Sequence, residues 1–206
     1  MEEKEKEIKR LLFIVDPQHD FIDGSLAVPN ADKAMNALAE YIIANKDNYD
    51  AVAVSLDWHP KNHCSFIGTT LTEADTKVKP SWPPHCQMFS KGAAAWQPIL
   101  DALSDIDTYM LTKGSDLIKD AYSLFQDMDS NLSFRNIMDE YSINEVHFCG
   151  IVREVCVMNT MKDFMKMYED VNVRVLLDYT PTLDGGVEFD KFLEEHLEVL
   201  TVKSAI

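Results

Sequence analysis

Leu11-Leu12-Phe13-Ile14-Val15-Asp16 is a run of five apolar residues that ends on a carboxylate. A strand with one wet face alternates apolar and polar residues. A run without alternation reads instead as a strand covered on both faces, as in a parallel sheet. Runs of the same kind recur at 51–56, 109–112, 146–149, 173–177 and 199–202. Helical spacing fills several of the intervals. Ala34, Leu38, Tyr41 and Ile42 share a face over 32–45. Leu132, Ile137 and Tyr141 share a looser one, with Ser130 or Asn131 as its cap. Val155, Met158, Met161, Met165 and Tyr168 make a third stripe, which reads as core packing. Strands alternating with helices, joined by right-handed crossovers, predict one three-layer α/β/α domain over 1–206 with a mainly parallel sheet of about six strands.

In open parallel sheets, ligands bind beyond the carboxyl ends of the strands. Asp16 ends the first run, Asp57 and His59 follow the second, Lys113 ends the third, and Cys156 comes shortly after Gly150 closes the fourth. The segment 59–92 breaks the alternation. It carries Pro60, Pro80, Pro83 and Pro84, has no sustained periodicity, and holds His63, Trp82 and His85. Connections of that length inside a compact domain are usually functional or disordered, and this composition points to function.

Asp57-Trp58-His59 places a carboxylate and an imidazole on one side of extended backbone, which suits Zn²⁺, Fe²⁺ or Mn²⁺. A third ligand can come from His63 or His85; the alternative is a hydrogen-bonded structural cluster. Cys156 opens a helical stripe, where the helix-end potential favours thiolate and outward N–H groups can hold an oxyanion. The alternative is a small core residue. Cys149 lies within an apolar strand and reads as inert. A nucleophilic thiol needs a proton acceptor and a stabilising charge. His196 is the only histidine after Cys156, in an acidic stretch, whereas Asp16 and Lys113 end neighbouring strands and supply both needs. Taken singly, Asp16 reads equally as a turn residue and Lys113 as a solvated strand end.

The chain has 19 Lys and Arg against 35 Asp and Glu, a net charge of −16. Clustered basic residues are what phosphate backbones and anionic membranes require, so nucleic acid and membrane are excluded as partners and a small molecule is favoured. No apolar run approaches a membrane span, residues 1–7 do not resemble a secretory signal, and four scattered cysteines make no disulfide framework. The expectation is a cytoplasmic chain with reduced thiols.

Five segments together resemble the nicotinamidase branch of the isochorismatase-like cysteine hydrolases. Val15-Asp16-Pro17-Gln18-His19-Asp20-Phe21 is similar to the family's Val-Asp-x-Gln-x-Asp-Phe opening. Asp57-Trp58-His59-Pro60-Lys61-Asn62-His63 and Trp82-Pro83-Pro84-His85-Cys86 resemble its metal segments. Thr112-Lys113-Gly114 resembles its lysine motif, and Gly150-Ile151-Val152-Arg153-Glu154-Val155-Cys156 its nucleophile turn. Each pattern is weak alone, but five in order are specific.

The resemblance implies a catalytic Asp16–Lys113–Cys156 triad and an oxyanion hole from the N–H groups of Val152 and Cys156, aimed by a cis peptide at Ile151–Val152. It implies one divalent metal ion on Asp57, His59 and His85, Zn²⁺ first with Fe²⁺ or Mn²⁺ as alternatives. His63 matches a position that ligates in some members and only lies nearby in others. Phe21 and Trp82 would sandwich a pyridine ring, with Asp20 supporting the site. The implied activity is hydrolysis of nicotinamide to nicotinate and ammonia in NAD salvage, by a chain that is often a homo-oligomer.

The rivals are an amidase for another small amide, a hydrolase whose metal activates water while Cys156 is structural, and a non-catalytic metal- or ligand-binding relative. Two departures bear on substrate preference. Gln87-Met88-Phe89-Ser90-Lys91-Gly92 replaces a Gly-Thr-Pro-Gly-like turn, and Val152-Arg153-Glu154 replaces Ala-Thr-Asp.

Overall fold

The computed structural model describes residues 7–196 and 198–202, so most of the charged opening segment lies outside the described residues. The first run is β1 (Arg10–Val15), followed by a short helix α1 (His19–Ile22) and by α2 (Ala31–Asn45). Then come β2 (Ala51–Asp57), α3 (Gln97–Ala102), β3 (Thr108–Lys113), α4 (Met128–Glu140) and β4 (Glu145–Gly150). A π-helical turn (Arg153–Val157) leads into α5 (Met158–Met167), then β5 (Asn172–Leu176), α6 (Val187–Glu195) and a three-residue edge strand, β6 (Leu200–Val202). The six strands are ordered β3-β2-β1-β4-β5-β6, and every pair is parallel.

That order explains why β1 is apolar from Leu11 to Val15. It lies between β2 and β4 with helices over both faces, so neither set of alternating side chains meets water. Leu11, Phe13 and Val15 enter the core cluster with Phe134, Phe148 and Phe164, on the side of α4, α5 and α6. Leu12 and Ile14 enter the other, with Met35, Leu38 and Ile99, on the side of α1, α2 and α3. The Phe13 ring lies 5.0 Å from Phe134 and 5.4 Å from Phe148. Each such fully buried side chain contributes about 1.5–3 kcal/mol.

The strand order also turns back on itself beside β1. β2 and β3 extend the sheet one way, and β4, β5 and β6 extend it the other. A crevice therefore opens between the carboxyl ends of β1 and β4. Gly150 ends β4 there with φ +111°; a Cβ would lie 2.0 Å from the Val15 carbonyl oxygen, so only glycine lets the two strand ends come this close.

The Met-bearing stripe is core, with Met158 and Met161 buried on α5. The reading of α4 needs correction. Its cap is Asp127, whose carboxylate accepts the Ser130 N–H at 3.2 Å, and its buried face is Ser130, Phe134, Ile137 and Met138. Leu132 is exposed. The Ser130 hydroxyl donates to the Thr112 carbonyl at the end of β3 instead of capping. No helix among the described residues is long and apolar enough to cross a membrane.

At the amino ends of the strands, Glu145 braces three of them. Its carboxylate meets Arg10 Nε of β1 at 2.7 Å, Arg174 Nε of β5 at 2.9 Å and His147 Nε2 at 3.0 Å. Burial alone would push this carboxyl up; the contacts with Arg10, His147 and Arg174 outweigh it and bring it down from 4.5 to about 2. A depressed carboxyl contributes stability that is present above about pH 4.5 and lost as pH falls through about pH 2. Both arginines remain about one-third exposed, so solvent screening limits the effect to about 2 kcal/mol. Over this window the parent protein should lose about 2 kcal/mol more unfolding free energy than Glu145→Gln, which should be the less stable of the two at neutral pH.

Candidate active site

Asp57 and Lys113 are register partners on β2 and β3, so their side chains leave the same face side by side. They form a buried ion pair, Lys113 Nζ to Asp57 Oδ1. The same ammonium lies 2.9 Å from Asp16 Oδ2 and 3.6 Å from Cys156 Sγ. Asp16, just past β1, accepts the Ser55 hydroxyl on Oδ1 at 2.7 Å, while Oδ2 has no directed hydrogen bond. Carboxylate oxygens of Asp16 and Asp57 and the Cys156 sulfur all lie within 4.8 Å of one another. The strand ends therefore bring together a thiol, an ammonium and a carboxylate with a free lone pair.

Burial pushes the Cys156 thiol well up; Lys113 opposes this and the two carboxylates add to it. That corrects the expectation of a helix-end thiolate. Cys156 sits in a π-helical turn ahead of α5, where desolvation and neighbouring carboxylates exceed any helix-end potential. Asp16 is likewise pushed up by burial, against Lys113 and Ser55. Lys113 is held high despite burial because Asp16, Asp57 and Cys156 surround it. Asp57 is held low despite burial, by Lys113 first and His59 next.

His59 Nδ1 donates to the Gly114 carbonyl at 2.9 Å, and His85 Nδ1 donates to the Pro83 carbonyl at 2.8 Å. A carbonyl only accepts, so each Nδ1 carries a proton, and each ring in its neutral form offers its Nε2 lone pair. Those two nitrogens lie 3.5 and 3.8 Å from Asp57 Oδ2. Ligands on a tetrahedral ion with bonds near 2.1 Å are about 3.4 Å apart, so the trio fits a divalent metal. Gly114 takes φ +72°, and a Cβ would lie 2.5 Å from the His59 ring. His63 is committed elsewhere. Its Nε2 donates to the Lys119 carbonyl at 2.9 Å, so its Nδ1 accepts the Ser65 hydroxyl at 2.7 Å.

The metal trio and Cys156 line one cavity of about 230 Å³ with Phe21 and Trp82. This is small beside the roughly 300–1,000 Å³ of drug-sized sites and suits a single ring. The Phe21 and Trp82 rings lie 5.6 and 6.5 Å from the His85 ring. Asp20 ties the loops beneath them, accepting the Cys86 N–H at 2.7 Å and the Ser25 N–H at 3.1 Å. The Ile151–Val152 peptide is cis. Among the described residues, the Val152 N–H has no hydrogen-bond acceptor.

The family model described as the Isochorismatase domain matches residues 10–186. The chain belongs to the isochorismatase family. A nicotinamidase/pyrazinamidase of Mycobacterium tuberculosis is 34% identical over 185 residues, covering 88% of this chain and 89% of its own. The pyrazinamidase of Pyrococcus horikoshii, solved in complex with zinc, superposes with TM-score 0.76 at 28% identity, over 95% of this chain and 99% of that one. The L. infantum PnC1 structure in complex with nicotinate gives TM-score 0.77 at 27% identity, over 96% and 93%.

Within this isochorismatase-family site, several contributors went unread in the sequence. Ser55 is a polar residue inside an apolar run, two positions before Asp57, and that interruption is its signal. Gln18 is fully buried; its Nε2 donates to the carbonyls of Asp57 and Ala93, and its Oε1 accepts the Asp57 N–H, fixing the end of β2. Tyr122 accepts the Trp82 indole N–H at 3.0 Å and lines the cavity. Asp120 and Leu183 line it too, and nothing in their local sequence marks them.

Proposed function

We propose that this protein is a nicotinamidase, converting nicotinamide to nicotinate and ammonia through a thioester on Cys156. The observation that carries the reading is the coexistence, in one small cavity, of a Cys156–Lys113–Asp16 cluster and an Asp57–His59–His85 trio bridged by Asp57. The names of the relatives point the same way, including a complex with nicotinate among the structural neighbours.

In the proposed reaction Asp16 Oδ2 takes the Cys156 proton as sulfur attacks the amide carbon. The N–H groups of Val152 and Cys156 hold the oxyanion, and Lys113 balances the charge of Asp16 throughout. Asp16 then returns the proton to the departing nitrogen, so ammonia leaves and the acyl group stays on sulfur. Water deprotonated by Asp16 attacks the thioester, releasing nicotinate and the thiol. Phe21 and Trp82 hold the ring on its two faces. Asp57, His59 and His85 would hold a divalent metal ion, Zn²⁺ first and Fe²⁺ or Mn²⁺ as alternatives; bound there, it supplies a Lewis-acidic anchor for the pyridine nitrogen. We read 1–206 as one domain, with 59–92 as its irregular metal-site segment. A cytoplasmic location and a homo-oligomer belong to the same reading. The described free cysteines support the former, and sedimentation tests the latter.

Purified, metal-replete protein should release ammonia from nicotinamide and from pyrazinamide in step with the corresponding acid. A flat response to nicotinamide, with activity on a different small amide or on none, would overturn the assignment.

A further inference from the structure

The residues that depart from the family pattern just before the nucleophile are used in one concerted way. Arg153 donates from Nε to the Thr180 carbonyl at 2.7 Å and the Thr180 hydroxyl at 2.9 Å. It also donates from Nη2 to the Leu177 carbonyl at 2.9 Å and from its backbone N–H to the Pro181 carbonyl at 3.0 Å. Glu154 faces the next stretch of the same loop. Its Oε1 accepts the N–H groups of Leu183 at 2.6 Å and Asp184 at 3.1 Å. The loop is braced within itself as well, the Gly186 N–H donating to Thr182 Oγ1 and to Asp184 Oδ1. Charge-assisted bonds of this kind hold geometry more firmly than neutral ones.

The consequence lies at the cavity. Leu183 is 52% exposed, yet it lines the same cavity as Cys156, Val155 and Trp82. An apolar side chain left half in water at the mouth of a small site has area to bury against a ligand. Its position is fixed by a backbone N–H held on Glu154, two residues before Cys156 in the chain. Nucleophile turn and cavity wall are therefore parts of one rigid assembly.

We propose that Arg153 and Glu154 are positioning residues that clamp the 177–186 loop so that Leu183 forms a fixed apolar wall of the substrate cavity, restricting the enzyme to unsubstituted single-ring carboxamides. This rests on the amide-hydrolase reading above and adds to it the element that sets substrate size. Arg153 and Glu154 touch no reacting atom in this account; they act through Leu183.

Steady-state kinetics on nicotinamide and a ring-methylated nicotinamide test the clamp, with backbone hydrogen exchange at Leu183 and Asp184. A methyl group in an apolar site shifts specificity by about tenfold or more. Leu183→Ala and Glu154→Ala should each raise the methylated-to-parent ratio of kcat/KM by about that factor, mainly by lowering KM for the methylated amide. Glu154→Gln keeps an acceptor oxygen and should retain the parent ratio. The Leu183 and Asp184 amides should be protected in the parent and in Glu154→Gln, and should exchange fast in Glu154→Ala. Leu183→Ala alters a half-exposed side chain and keeps the test open if Glu154→Ala folds poorly. An unchanged ratio in an active Leu183→Ala variant overturns the inference, as do unprotected amides in the parent. A parent that hydrolyses neither amide overturns the functional reading itself, a result separable from an active parent whose variants keep its ratio.

Discussion

Replacing Cys156 by alanine should reduce ammonia release from nicotinamide by at least about 10⁴-fold, because the sulfur is the atom that makes the covalent bond. The substitution leaves the rest of the site standing. Lys113 keeps its ion pairs with Asp16 and Asp57, and the Asp57–His59–His85 trio does not include the sulfur. The variant should therefore fold, with a stability change of about 1–2 kcal/mol from a small buried void, and should carry as much metal as the parent. Activity assay, metal analysis and thermal melting on one preparation check all three. Near-parent turnover with full metal content would instead assign the attack to water and leave Cys156 a core residue.

The second large effect concerns the metal trio. His85→Gln should lose bound metal and lower kcat/KM for nicotinamide by about 10²-fold, a size typical of substrate misplaced by about 1 Å. His85 is the suitable position because, among the described residues, its side chain makes no hydrogen bond outside the trio except Nδ1 to the Pro83 carbonyl. Asp57 is unsuitable: it also pairs with Lys113, and removing one partner of a buried pair costs about 3–5 kcal/mol in its own right. Metal stoichiometry by elemental analysis, beside kinetics, checks the expectation. The loss should fall mainly on KM, since the ion is assigned to holding the ring. A His85→Gln protein with full metal content and parent KM would contradict the ligand assignment.

Much of this is legible in the sequence. Continuous apolar runs marked strands covered on both faces, and polar residues closing those runs marked the carboxyl edge where Asp16, Asp57, Lys113 and Cys156 meet. What stayed hidden depends on neighbours distant in sequence. Ser55 becomes an Asp16 partner only because β1 and β2 pair with Val15 opposite Ser55. His63 has ligand-like spacing, yet the Lys119 carbonyl and Ser65 hydroxyl take both its nitrogens. The ionisation of Cys156 was misread because helix position is local whereas burial and two carboxylates arrive from other strands. The cap of α4 is Asp127 and not Ser130 or Asn131, and the Ser130 hydroxyl is turned to the Thr112 carbonyl of β3. The departures at Arg153 and Glu154 could be seen in the sequence, but the loop they hold could not.

The central claim is that an acyl group passes through the sulfur of Cys156. Turnover of nicotinamide in rising concentrations of hydroxylamine, with ammonia and both acyl products measured, tests it most directly. A thioester is open to either nucleophile after ammonia has left. Nicotinohydroxamate should replace nicotinate as hydroxylamine increases, while the two together continue to match the ammonia released. Nicotinate as the sole acyl product at every hydroxylamine concentration, in a protein releasing ammonia at its normal rate, would contradict it.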